Sequence, residues 1–261
     1  MAHMTKIGGT AYEIGSGKVL VGGTGYSIDK GRTKVDGTGY DISFGTPIDS
    51  LAVGTSVFLP ESGSRVEYII VNQGIPQNST SYDDSCDGTW LLRKGTNTYH
   101  QYSTKSSNLY KKSKPYEFLT GDFLSRFDSK ALDIIKEVRI PYMKSTTNLA
   151  QGADGLLAKA FLLSATEIGL TSSMNANVGT EGARLDYFKE AITDANRILI
   201  NSSSKVEWWL RSPLLSAAGQ VWRVKDSGSF EGASYDKYAW VRPALILQSD
   251  ACVDESFNLI T

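Results

Sequence analysis

Nucleophiles and metal ligands are scarce in this chain. It has two histidines, His3 and His100, and two cysteines, Cys86 and Cys252. A Ser/His/Asp or Cys/His nucleophile system would have to run through His100, because His3 lies in the leader. Zinc-type sites lack ligands. The cysteine spacing fits neither a CxxC redox pair nor a zinc knuckle, so two free thiols are expected, with a disulfide between them as the alternative. No GxxxxGK[ST] phosphate loop occurs, and the many GT and GTG steps belong to a repeat described below. In YDDSCDGTW, Asp83, Ser85, Asp87 and Gly88 copy the opening of a calcium loop, but Lys94 stands where the closing bidentate Glu is required. An Asp-capped turn is therefore expected there. The 28 acidic residues single out no pair for glycoside hydrolysis. These residues predict no catalytic group, no metal and no cofactor.

What stands out is aromatic and guanidinium content near the C-terminus. In WWLRSP, strand alternation puts Trp208 and Leu210 on one face and Trp209 and Arg211 on the other. Trp208, Trp209, Arg211 and Arg242 are expected in the structural core, where a buried Arg211 would need a carboxylate or several carbonyls. The following stretch, AAGQVWRVKDSGSFEGASYDKYAW, combines Tyr and Trp with Ser, Gly and Asp, the composition of a recognition loop. An irregular surface connection is the alternative. The expected recognition face is Trp222, Arg223, Lys225, Glu231, Tyr235, Asp236, Tyr238 and Trp240, with alternate strand residues turned inward.

These residues need a frame, and periodicity supplies one. IGGTAYEIGSGK, VGGTGYSIDKGR and VDGTGYDISFGT repeat every 14 residues within 1–46. Each unit reads as a strand closed by a glycine turn at Gly17, Gly31 or Gly45, with too little apolar surface for a core of its own. The module needs a partner surface: a second copy, a larger particle, or the main domain. Beyond Pro47, TSVFLP and RVEYIIVN read as a hairpin and WLLRK as a strand, whereas residues 101–115 read as a solvated loop. Helices are expected within 116–127 and 129–136, the second capped by Asp128. Lys159–Leu163 reads as a buried strand, Ser164 and Glu167 as a capping box opening a short helix, and 184–196 as a further helix. VEWWLRS, QVWRVKD and WVRPALIL read as three strands, with DSGS turning into a long loop.

Composition bounds the partners. Net charge is −1, from 27 basic and 28 acidic residues, which argues against nucleic acid or an anionic membrane as ligand. MAHMTKIGG has no apolar signal-peptide core, and no run approaches the roughly 18 apolar residues that span a bilayer. A soluble protein without membrane insertion is expected.

WWLRSP, VWRVK, the Ser227-Gly228-Ser229 turn and VRPAL together resemble the C-terminal signature of DUF6273 domains of Firmicutes and their prophages. VEYIIVNQG, SCDGTWLLR and FLLSATEIG extend the resemblance over roughly residues 50–248. The layout is also similar to C-type-lectin-fold proteins, among them formylglycine-generating enzymes and the variable proteins of diversity-generating retroelements on phage tail tips. The GGTxYxI repeats resemble modules of Firmicutes phage tail proteins. The resemblance implies an α+β chain: β repeats over 1–46, a C-type-lectin-like domain over 47–250 and a tail over 251–261. It implies a non-enzymatic tail-tip adhesin, made in the host cytoplasm and mounted on the virion tail, that binds a host-surface glycan or protein through the segment before the last strand. Residues 1–46 would contact other tail proteins, and a homo-oligomer is expected, a trimer first. The catalytic cysteine pair of the formylglycine-type enzymes is not reproduced. An enzyme of that or a glycan-processing type, and a structural tail assembly or decoration protein, are the alternatives.

Overall fold

The computed structural model describes the backbone of residues 3–7, 10–14, 18–21, 24–27, 30–35, 38–43, 45–188 and 194–261, and the side chains of 45–188 and 195–261. Each repeat is an antiparallel hairpin: His3–Ile7 with Thr10–Ile14, Lys18–Val21 with Thr24–Ser27, and Lys30–Val35 with Thr38–Ser43. The period of 14 is thus that of a hairpin, not of one strand and a turn. Gly31, expected in a turn, is paired with Ile42 inside a strand. Gly9, Gly17, Gly23 and Gly37 lie outside the described residues.

From residue 45 onward the chain builds two five-stranded sheets. In chain order its main strands are β1 (Thr46–Pro47), β2 (Ser56–Glu61), β3 (Ser64–Gln73), β4 (Thr89–Arg93), β5 (Tyr99–Gln101), β6 (Ala160–Phe161), β7 (Trp208–Pro213), β8 (Gln220–Val224), β9 (Phe230–Ser234), β10 (Tyr238–Trp240), β11 (Ala244–Leu247) and β12 (Cys252–Val253). The first sheet runs β6-β11-β4-β3-β2 and the second β5-β10-β7-β8-β9. Buried side chains of both form one contiguous core. β2 alternates half-buried and buried positions, as expected of an edge strand covered on one face. Tyr68–Val71 of β3 and Thr89–Leu92 of β4 are buried without alternation, because these central strands are covered on both faces. The chain is mainly β with two short helices among its described residues, α1 (Lys114–Thr120) and α2 (Ser129–Ile134), an α+β architecture dominated by sheet.

Helix caps follow the sequence closely. The Ser113 hydroxyl accepts from Tyr116 N at 3.1 Å, and the Asp128 carboxylate accepts from Ala131 N at 2.8 Å. The capping box also forms reciprocally: Glu167 N donates to Ser164 Oγ at 3.0 Å and Ser164 N to Glu167 Oε2 at 2.8 Å. No helix grows from it. Residues 165–169 make a single turn ending at Gly169, whose φ of +103° stops propagation. The helix expected over 184–196 is likewise absent from its described part, which holds 3-10 turns at Asp186–Phe188 and Asp194–Arg197. Leu185 and Phe188 are buried three residues apart, so one 3-10 turn already satisfies that apolar spacing.

Three further expectations change. Residues 101–115 are not simply solvated: Tyr102 and Tyr110 are fully buried, as are Ser103, Asn108 and Ser113, while Lys105, Lys111 and Lys112 stay outside. The long loop expected after DSGS contains β9, so DSGS is a hairpin turn from β8. WVRPALIL is not one strand. Its Trp240 closes β10 of the second sheet and its Ala244–Leu247 belongs to the first, and the chain crosses between them at Val241–Pro243. Pro243 lacks an amide hydrogen to continue either ladder, while its carbonyl accepts from Arg93 N at 2.9 Å.

Candidate recognition face

WWLRSP is β7, the central strand of the second sheet, and all six of its residues are buried. Trp208 Nε1 donates to Arg197 O and Trp209 Nε1 to His100 O, each at 2.9 Å, and the Trp209 ring meets Tyr102 edge-on at 5.4 Å. Satisfying both indole N–H groups lets each ring contribute about 3 kcal/mol of burial without a polar penalty. Arg211 lies between the sheets with no exposed surface. Its Nη1 and Nη2 reach the two carboxylate oxygens of Glu167 at 2.6 Å, Nε reaches Pro141 O at 3.0 Å, and Nη1 also reaches Leu162 O at 2.8 Å. Burial opposes its charge, but Glu167 outweighs burial and keeps the guanidinium protonated. The Tyr82 hydroxyl, itself pushed well above its usual range by burial, donates to Glu167 at 3.0 Å and completes the network.

Above this frame the expected face separates into parts. Trp222 is turned inward, 5 % exposed, with its Nε1 on Asn177 O at 3.3 Å. It belongs to the core because its neighbour Arg223 takes the other side of the strand. Arg223 is gripped by Glu231 at 2.5 Å and Glu207 at 2.5 Å, so its charge is already matched. Lys225 and Tyr235 are half-buried, the latter packed over Gly219, while Asp236 is exposed. Tyr238 is 49 % exposed, and Trp240 is half-buried.

The sequence did not point to the partner that joins Tyr238 and Trp240. Tyr99, on the edge strand β5, pairs directly with Trp240 and is diagonal to Tyr238, which faces Gln101 across the ladder. Ring centroids lie 5.4 Å apart for Tyr99 and Tyr238, nearly parallel at 29°, and 5.2 Å apart for Tyr99 and Trp240. Tyr99 is 51 % exposed. The result is a continuous aromatic shelf, with the Gln101 amide donating to Asp236 O at 3.0 Å to hold the adjacent turn. The period-2 spacing of Tyr99 and Gln101 was the available signal, but three residues are too few to mark a strand. Glu207 was missed too, since nothing local ties it to Arg223.

The residues with catalytic potential are placed elsewhere. Cys86 is buried with Sγ on Arg139 O at 3.2 Å, and burial pushes its thiol up to about 12, so it carries no thiolate at neutral pH. Cys252 sits on β12 and is likewise free. His100 contacts Phe118, and burial followed by the Lys114 charge lowers its pKa. Asp83 caps a 3-10 turn through Ser85 N at 3.0 Å. Among the described residues no group of three or more His, Cys, Asp or Glu side chains could hold a metal ion. No helix among them is long and apolar enough to cross a membrane.

No curated protein and no solved structure matches this chain. The sequence model of the family described as "Domain of unknown function (DUF6273)" matches residues 87–249, a span that opens before β4 and closes just after β11. It thus takes in the shelf, the buried Arg211–Glu167 pair and the crossover, and the chain belongs to the DUF6273 family.

Proposed function

We propose that this chain is a receptor-binding protein of a phage tail tip, a non-enzymatic module that grips a host-surface glycan or protein through the β5–β10 edge of its second sheet. The aromatic shelf of Tyr99, Tyr238 and Trp240 carries the reading. Two of its rings are half exposed although each could have been buried with gain, and rigid aromatic surface of this kind is what recognition sites use. A hexose presents C–H groups to such ring faces, and exposed Asp236 and Lys237 stand beside the shelf to bond its hydroxyls. A C-type-lectin-like arrangement of 47–250 agrees with the two mainly antiparallel sheets, in which, among the described residues, β7 and β10 alone run parallel, and with β1 paired to β12 at the ends of the 45–261 portion. In the same reading the hairpins of 3–43 dock the domain onto tail proteins or further copies, since two-stranded hairpins are marginal without a partner surface.

The test is binding of purified protein to host cells. Tyr99→Ala combined with Tyr238→Ala should lower it at least tenfold, about the loss expected from truncating one or two aromatic anchors, while the thermal midpoint stays within about 2 °C. Undiminished binding by the folded double variant would defeat the reading. A shelf sealed inside a subunit contact of the assembled particle would instead mark an assembly protein.

A further inference from the structure

Arg242 sits at the crossover between the sheets, only 4 % exposed. Its Nε donates to Arg93 O at 2.9 Å and its guanidinium lies 5.1 Å from the Trp208 ring centroid, but Nη1 has no protein partner. Arg93, Arg211 and Arg223 are each matched by a carboxylate, from Glu61, Glu167 and the Glu207/Glu231 pair respectively. Among the described residues no such partner reaches Arg242. Burial pulls its guanidinium down to about 10, with Tyr187 opposing, so it remains a cation at neutral pH. A buried cation without a counter-charge is costly, and native proteins rarely keep one idle.

Arg242 forms part of the wall of an open cavity of about 470 Å³, together with Arg65, Glu67, Arg93, Lys94 and Tyr187. Within that wall Arg93 is neutralised by Glu61 and Lys94 by Glu67 at 2.7 Å. Arg65 donates to the neutral oxygens of Asn258 and Ser256 and interacts through its charge with Glu67 and Asp254. Arg242 therefore faces this region without a counter-charge among the described residues, and with Arg65, Arg93 and Lys94 set against Glu67 and Glu61 the wall is electropositive in a protein of net charge −1. Its volume suits a ligand the size of one sugar ring with water.

We propose that this cavity binds a small oxyanion ligand, a carboxylate or phosphate group on a molecule of about sugar size, with Arg242 as its charge partner. The site is independent of the aromatic shelf, none of whose rings lines it. Occupancy would give Arg242 the charge-assisted hydrogen bonds it lacks.

Titrating the full-length, isotope-labelled protein with glucuronate, inorganic phosphate and, as neutral control, glucose tests this by amide chemical-shift mapping. Glucuronate or phosphate should move the amides of Arg93, Lys94 and Arg242, the stronger of the two identifying the preferred anion, and glucose should not. Arg242→Gln should weaken that binding at least tenfold, the loss of about one charge-assisted bond. If that variant does not fold, the exposed Arg65→Gln substitution takes its place and should weaken binding about threefold. Silence of the three amides toward both anions, equal shifts with glucose, or unchanged affinity in the folded variant would each overturn the proposal.

Discussion

Arg211 occupies the place where a charge is hardest to keep, and it is kept because its donors find acceptors. Glu167 supplies two, and the carbonyls of Pro141 and Leu162 supply others. Breaking such a pair from one side leaves the survivor buried and unmatched. Arg211→Met or Glu167→Gln should each lower stability by about 3–5 kcal/mol, read as a fall of about 6–15 °C in the thermal midpoint. Arg211→Met with Glu167→Leu should lose clearly less than the two single changes together, since no orphaned charge remains. The need of a buried Arg211 for a carboxylate was legible in WWLRSP. The identity of that carboxylate was not, because Glu167 announces itself only as the last residue of a capping box, three positions after Ser164. The same side chain caps one turn and neutralises a strand 44 positions away, and only the second role depends on the tertiary fold.

At the scale of elements, one side chain outside the second sheet shapes the turn that feeds it. Asn108 Nδ2 lies within hydrogen-bond reach of the carbonyls of Leu214 at 3.4 Å, Ala217 at 3.1 Å and Gln220 at 3.0 Å, and so pins the connection from β7 to β8. Asn108→Ala should cost about 2 kcal/mol and speed amide hydrogen exchange across 214–220, leaving β3 and β4 protected. Continuous apolar runs such as YIIV and WLL declared their strands in the sequence, because central strands of a sheet bury every residue. The 101–115 segment hid its role behind lysines and serines. Its buried Tyr102 and Tyr110 are single aromatics in a polar string, and their burial arises only when the chain folds over them. Tyr99 was hidden for a related reason, since a three-residue edge strand has too little pattern to be seen until its neighbour is in place.

For the whole molecule, the 45–261 portion is closed by its own ends. β1 pairs with β12, Phe58 N donates to Phe257 O and Leu259 N to Phe58 O, each at 2.9 Å. Gly45 is fitted so closely that a Cβ there would stand 2.6 Å from Val253 O and 2.7 Å from the Cys252 Cβ. A chain beginning at Gly45 should therefore fold with an unchanged midpoint to within about 3 °C, and if the repeats dock copies together as proposed, light scattering should find it monomeric and the full chain oligomeric. A truncated chain that stays oligomeric would move the association surface off the repeats. The paired ends have one more consequence, a topological one. A domain whose entrance and exit are adjacent strands can be carried within a loop of another protein at the cost of two neighbouring junctions, so the fold is portable between hosts without redesign of its interior.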